Sequence, residues 1–209
     1  MSAPVKVLNL CAGLGGNRKK WPGCEVTAVE LDPKIAALYA KLHPQDTVII
    51  GDAYEYLLEH FEEYDFIWSS PPCQTHSKMV KFNRHKRAIY PDMRLLETII
   101  FLQHFYKGHW VVENVVPYYK PMGDPVKVGR HLFWSNFAIT AQEVKQPAGF
   151  INNGNPQGKL DMMNWLGLHY EGNVYYGKSK CAVQILRNCV HPDLGLQIWE
   201  DYQRARAEG

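Results

Sequence analysis

No uninterrupted apolar run in these 209 residues approaches the ~18 needed to cross a bilayer, so no membrane-spanning helix is expected. The first residues lack the charged-then-apolar pattern of a secretory leader. The five cysteines stand at wide spacings without a CxxC pair, which excludes a zinc pattern and a disulfide framework. A reducing cytoplasm is therefore the expected compartment, with no metal. A large excess of one sign of charge is also missing. A formal net charge of +2 is too small to demand a polyanionic partner for the whole surface, so any basic surface has to be local. The glycine-rich stretch at residues 13–16 fits neither GxGxxG nor GxxxxGK, which weakens a phosphate-cradling reading there. Repeats and low-complexity tracts are missing as well. What is present is the ordinary make-up of a globular protein, 46% hydrophobic and 21% charged, at a length that gives one full-sized domain and little more.

The chain is organised around Asp65-Phe66-Ile67-Trp68-Ser69-Ser70-Pro71-Pro72-Cys73-Gln74-Thr75-His76-Ser77. Phe66, Ile67 and Trp68 predict a buried strand, which the prolines end because they lack the N–H that a ladder needs. Cys73 thus falls just past a strand end, on a stiffened loop with polar residues behind it, where a nucleophile would be placed. A buried core cysteine is the plainer alternative and stays open at this point.

Upstream, Val5 to Leu10 predicts a strand that breaks into Cys11-Ala12-Gly13-Leu14-Gly15-Gly16, the opening of a nucleotide-type α/β unit or a simple tight turn. A second strand, Glu25 to Val29, ends in Glu30-Leu31-Asp32, and an acid at that place can accept hydrogen bonds from both hydroxyls of a ribose. Thr47 to Ile50 predicts a third strand, followed by Gly51-Asp52, where Asp52 could cap the next helix or face a ligand. Trp110-Val111-Val112 predicts another strand with Glu113-Asn114-Val115 at its end, after a helical stripe over Met93 to Phe105. If these strands are parallel, the glycines, Glu30, Asp52, Cys73 and Glu113 share one edge, as an open α/β sheet requires of its binding site. The expected fold is therefore a single doubly wound, mostly parallel α/β sheet with helices on both faces.

Two stretches stand apart. Lys78, Lys81, Arg84, Lys86 and Arg87 supply five formal positive charges without an acid among residues 78–87. A charge run is ordinarily a solvated loop, but directly behind a candidate nucleophile it can neutralise backbone phosphates. Asn136 to Lys180 is rich in Gly, Asn and Gln and reads as irregular.

Pro72-Cys73-Gln74 resembles the catalytic motif of the cytosine-5 DNA methyltransferases. Ala12-Gly13-Leu14-Gly15-Gly16 with Glu30 resembles the first two motifs of that family, with Cys11 in the place of its usual Phe. Gly129 to Trp134 resembles its arginine-bearing strand, with the usual Gln-x-Arg-x-Arg reduced to Arg130. Gln184-Ile185-Leu186-Arg187-Asn188-Cys189-Val190 resembles its last motif, Gln-x-x-Gly-Asn-x-Val, with Arg187 where glycine is usual. The resemblance implies a class I S-adenosylmethionine-dependent methyltransferase of a short, phage- or bacteria-like form. It implies that Cys11, Ala12, Gly13, Gly15, Gly16, Glu30, Leu31, Asp52, Pro72, Asn188 and Val190 hold S-adenosylmethionine. Cys73 would be the nucleophile, Glu113 the acid at ring N3 and Arg130 the residue that holds the substrate. Pro72, Gln74, Ser77 and Asn114 would shape the base site, and Lys78, Lys81, Arg84, Lys86 and Arg87 would lie on phosphates of a DNA whose target base is flipped out. Residues 1–137 with 181–209 would form the catalytic domain, and 138–180 a short target-recognition insertion, with a protein partner as a further expectation. The alternatives are an RNA substrate, as in the tRNA-methylating branch, an amino-group methyltransferase, to whose Asp/Asn-Pro-Pro-Tyr motif Ser70-Pro71-Pro72-Cys73 is similar, and a non-catalytic nucleic-acid-binding subunit.

Overall fold

The computed structural model describes residues 3–78, 88–147, 156–176 and 181–208. The short β-rich runs become strands β1 (Val5–Leu10), β2 (Cys24–Glu30), β3 (Thr47–Ile50), β4 (Phe66–Ser69) and β5 (His109–Val115). Between and after them lie helices α1 (Pro33–Leu42), α2 (Ala53–His60) and α3 (Arg94–Phe105). Two starts are fixed by side chains: Asp32 accepts from the amides of Lys34 and Ile35 ahead of Pro33, and Asp52 accepts from those of Tyr54 and Glu55. A hairpin follows, β6 (Val126–Val128) and β7 (His131–Ser135), then α4 (Pro156–Leu166), α5 (Gln184–Arg187) and α6 (Pro192–Glu208).

Among the described residues the strands form one sheet in the order β3-β2-β1-β4-β5-β7-β6. The first five are parallel, and β7 runs antiparallel between β5 and β6. β1 and β4 are neighbours at which the winding reverses, and the crevice beyond their carboxyl ends is where such sheets bind ligands.

Alternating side chains divide the core into two faces. Val5, Val7, Val26, Phe66 and Trp68 pack under α6 through Ile198, Trp199 and Tyr202. Leu8, Leu10, Ile67 and Val112 pack on the other face under α2 and α3 through Leu57, Leu95 and Leu102. Trp21 stacks on Trp199 at 5.3 Å between ring centroids and donates its Nε1–H to the Gly195 carbonyl. The last helix is thereby bound to the segment that follows the glycine turn. No helix among the described residues is long and apolar enough to cross a membrane.

Two expectations need correction. Arg130 does not sit within a strand. It occupies the turn between β6 and β7, where Gly129 takes a φ of +57°. The stretch read as irregular contains α4, whose Met162, Met163 and Leu166 pack with Leu14, Ile35 and Ile185. The helical spacing was masked in sequence by Pro156 and Gly158 in the first turn, although proline is well suited to a helix start.

Candidate active site

The turn after β1 is held from beneath and from the side. Gly15 has a φ of +67°, and a Cβ there would collide with the rings of His43 and Tyr39. His43 Nε2 lies 3.0 Å from the Leu14 carbonyl, and Arg18 is locked to Asp46 through Nε and Nη2. Glu30, 6% exposed, accepts from the Gly13 amide at 2.9 Å through one carboxylate oxygen and from the Asp32 amide at 3.0 Å through the other. Burial raises its pKa, and these amides pull in the opposite direction. Cys11 is the one non-glycine residue with positive φ among those described, at 53°, and burial followed by the nearby Glu30 pushes its thiol up to about 12. A strained backbone in a ligand-facing turn is where such strain tends to be stored.

The loop after β4 is tied on both sides. The Ser70 amide donates to the Leu10 carbonyl of β1, and Asn114 at the end of β5 donates its Nδ2–H to the Pro71 carbonyl at 2.9 Å. Past the prolines, the carbonyl of Cys73 accepts from the amides of His76 and Ser77, which turns the chain away and leaves the thiol at the cleft. Burial, then the Glu113 carboxylate, pushes the Cys73 thiol up to about 11, while Arg130 pulls it down. The resting thiol is therefore protonated near neutrality.

Glu113 and His131 meet across the antiparallel pair, Oε1 to Nδ1 at 2.6 Å. Arg130 donates Nη2–H to the carbonyls of Arg187 and Cys189, which closes the β6–β7 turn against the last motif. Its Nε is buried without a partner among the described residues, as is that of Arg187. A buried donor left without a partner is costly unless something accepts from it, so both point to a ligand oxygen.

These parts line two clefts. The first joins the glycine turn to Cys73, Glu113, Arg130, Asn188 and Val190. The second runs past Leu31, Asp52 and Arg94. Cys11, Glu30, Pro71, Pro72 and Tyr176 line both, so the clefts meet beside the strained turn.

The sequence-predicted residues distribute unevenly over this site. Cys11, Ala12, Gly13, Gly16, Glu30, Pro72, Cys73, Glu113, Arg130, Asn188 and Val190 come together in the first cleft, and Gly15 supports it from below. Leu31, 68% exposed, and Asp52 belong to the second. Asp52 caps α2 and is paired with Arg94; burial would raise its pKa, but Arg94 and the α2 amides outweigh that and lower it. Asn114 acts through the Pro71 carbonyl. Gln74 lies beside Tyr176, Ser77 is bridged to Pro117, and Lys78 is exposed; none of the three lines either cleft. Lys81, Arg84, Lys86 and Arg87 lie outside the described residues.

His131, Tyr176, Arg94 and Arg187 are residues of the site to which sequence reasoning gave no role. His131 adjoins Arg130, but only the β5–β7 register puts it diagonally across from Glu113. Arg187 carried a signal, since it replaces a glycine in the motif. Tyr176, in coil, carried none.

Residues 5–115 match the family of C-5 cytosine-specific DNA methylases. Among curated proteins no sequence matches. Solved structures similar to the chain include a hypothetical protein of Thermus thermophilus, 18% identical over 68% of this chain and 76% of that one, TM-score 0.46. An S-adenosylmethionine-dependent methyltransferase of Agrobacterium tumefaciens is 20% identical over 57% of this chain and 41% of that one, TM-score 0.40. A mutant of DNMT2 from Spodoptera frugiperda is 23% identical over 53% of this chain and 35% of that one, TM-score 0.38.

Proposed function

The chain belongs to the C-5 cytosine-specific DNA methylase family, matched over more than half of its length, and on that basis we propose that it methylates carbon 5 of cytosine in DNA by covalent catalysis through Cys73. Its fold is that of a class I methyltransferase, and its cofactor is S-adenosylmethionine. The residues present fit that group. The glycine turn leaves no room for side chains at Gly15 and Gly16, Glu30 lines both clefts from the end of β2, where it would accept from a ribose, and the two clefts meet at Cys11. Cys11, Gly13, Glu30, Asp52, Asn188 and Val190 would hold it. When bound, it supplies an electrophilic methyl group to the activated ring carbon.

The observation that carries this reading is the convergence of Cys73, Glu113 and Arg130 in one cleft with the glycine turn. Carbon 5 of cytosine is a poor nucleophile until a thiolate adds at carbon 6. Cys73 performs that addition as the thiolate; its thiol rests protonated, so its S–H proton passes to water as the base arrives, an ionisation that Arg130 favours. Glu113 gives a proton to ring N3, so that the electrons pushed by the thiolate make an enamine whose nucleophilic atom is carbon 5. The unpaired Nε of Arg130 is available for a carbonyl oxygen of the base. A stacked base cannot reach this cleft, so the target is flipped out, at a cost of a few kcal/mol.

In this reading residues 1–137 and 181–209 form the catalytic domain and target recognition belongs to 138–180. Lys78, Lys81, Arg84, Lys86 and Arg87 contact phosphates. The test is transfer of labelled methyl to duplex DNA, single-stranded DNA and tRNA, with sequencing of the product and 5-fluorocytosine trapping. Methyl on carbon 5 of DNA cytosine and an adduct lost in Cys73→Ser are expected. Transfer to tRNA alone would make the substrate RNA, and an adduct that persists without the thiol would remove Cys73 from the mechanism.

A further inference from the structure

Glu113 and His131 form the most enclosed acid–imidazole contact of the site. Their side chains are each 8% exposed, joined at 2.6 Å, and both line the cleft that contains Cys73. An ionised carboxylate has no hydrogen to give, so in that state the shared hydrogen is the Nδ1–H of His131. Cys73 reaches the pair from the β4 loop, Arg130 from the β6–β7 turn, and Arg187 and Cys189 from the segment after α5 begins. Arg130 commits Nη2 to two backbone carbonyls, and Glu113 takes its nearest hydrogen-bond partner from the imidazole instead.

We propose that His131 is a positioning residue for Glu113: its Nδ1–H occupies Oε1, so that the proton given to cytosine N3 resides on Oε2, and it stabilises the carboxylate left behind. This rests on the cytosine reading above. As the Cys73 thiolate forms its bond to carbon 6, the ring π electrons move toward N3, the Oε2–H bond of Glu113 breaks and an N3–H bond forms. The negative charge passes to Glu113, where the bond from His131 becomes charge-assisted. When the C5–H bond breaks and its proton passes to water, the C6–S bond breaks, the thiolate leaves and N3 returns its proton to Oε2. No further donor or oxidant is required.

The test compares pH profiles of methyl transfer for the unaltered protein, Glu113→Gln, His131→Leu and His131→Asn, with cofactor binding and thermal stability measured for each. The breakpoint that vanishes in Glu113→Gln belongs to Glu113. In His131→Leu that breakpoint should move to higher pH, because a carboxylate without its donor is less stable. Formation of the 5-fluorocytosine adduct should slow on the order of tenfold to a hundredfold, the scale of a misplaced catalytic group. His131→Asn, whose amide can donate from near the Nδ1 position, should restore both in good part. If His131→Leu does not fold, His131→Gln replaces it, with its amide displaced from that position. A breakpoint that stays in place in these variants overturns the proposal, as does a rate that falls only in step with cofactor affinity or stability. If the unaltered protein forms no adduct with any cytosine-containing polymer, the parent reading fails, recognisably, because the unaltered protein and Glu113→Gln are then alike.

Discussion

Gly16→Ala should separate the two halves of the cofactor cleft. A Cβ at this position would lie closer than 3.0 Å to the backbone carbonyl oxygen of Val190 and 3.1 Å from the Cβ of Cys189. The obstructing atom is backbone, so it cannot rotate away. Overpacking of this kind costs about 1–3 kcal/mol. Stiffening of the unfolded chain returns about 0.4–1 kcal/mol. The net expectation is a loss of roughly 1–2 kcal/mol, read as a lower urea midpoint with an unchanged slope. Val190 and Asn188 line the same cleft, so the displacement also widens the ligand site. Calorimetry with S-adenosylmethionine should show affinity reduced about tenfold, which corresponds to ~1.4 kcal/mol. Gly23→Ala is the control: at φ +67° with open space around its Cβ, it should lose stability to backbone strain and keep cofactor affinity. Unchanged stability and affinity in Gly16→Ala would refute the rigid contact between turn and last motif.

Glu30→Ala should weaken S-adenosylmethionine binding by about 1.5–3 kcal/mol, the range for hydrogen bonds to a charged group; if calorimetry shows only lost stability, Glu30 serves the Gly13 and Asp32 amides alone. Asp46→Ala strands the Arg18 guanidinium, since the two side chains are 5% and 1% exposed, and should cost about 3–5 kcal/mol in urea unfolding. A loss under about 1 kcal/mol would mean that water reaches the pair, as for exposed ion pairs. Alkylation of Cys73 in the free protein, followed by peptide mass mapping, should rise with pH up to about 11, because a raised thiol pKa withholds the thiolate until that range. A rate already level by neutral pH would refute a protonated resting thiol.

The parallel half of the sheet was legible because each strand is a short apolar run cut off by Gly, Asp or Pro, and the strand-end rule then placed Glu30, Cys73 and Glu113 at one edge. The hairpin was not. Val126–Val128 is too short to show alternation, so Arg130 reads as part of one strand rather than as the turn between two. Pairing register has no local signature either, which is why His131 gave no sign of its contact with Glu113. Tyr176 reaches both clefts from coil, and coil has no periodicity to read. The notable exception is Asp52: capping and cleft-lining were both written in its position, and the structure keeps both.

The junction of Trp21 with Trp199 and Gly195 has a consequence for the order in which the protein is made. Synthesis delivers β1, β2 and β4 long before α6, and until Trp199 and Tyr202 have left the ribosome the face formed by Val5, Val7, Val26, Phe66 and Trp68 has no cover. Contacts between such distant parts of a chain form late and slowly. An exposed apolar sheet face is what chaperones recognise and what drives premature association. The glycine turn meets Val190 only in the same step, so the cleft is complete only once α6 has docked. Competence to methylate is acquired all at once, when the last helix docks.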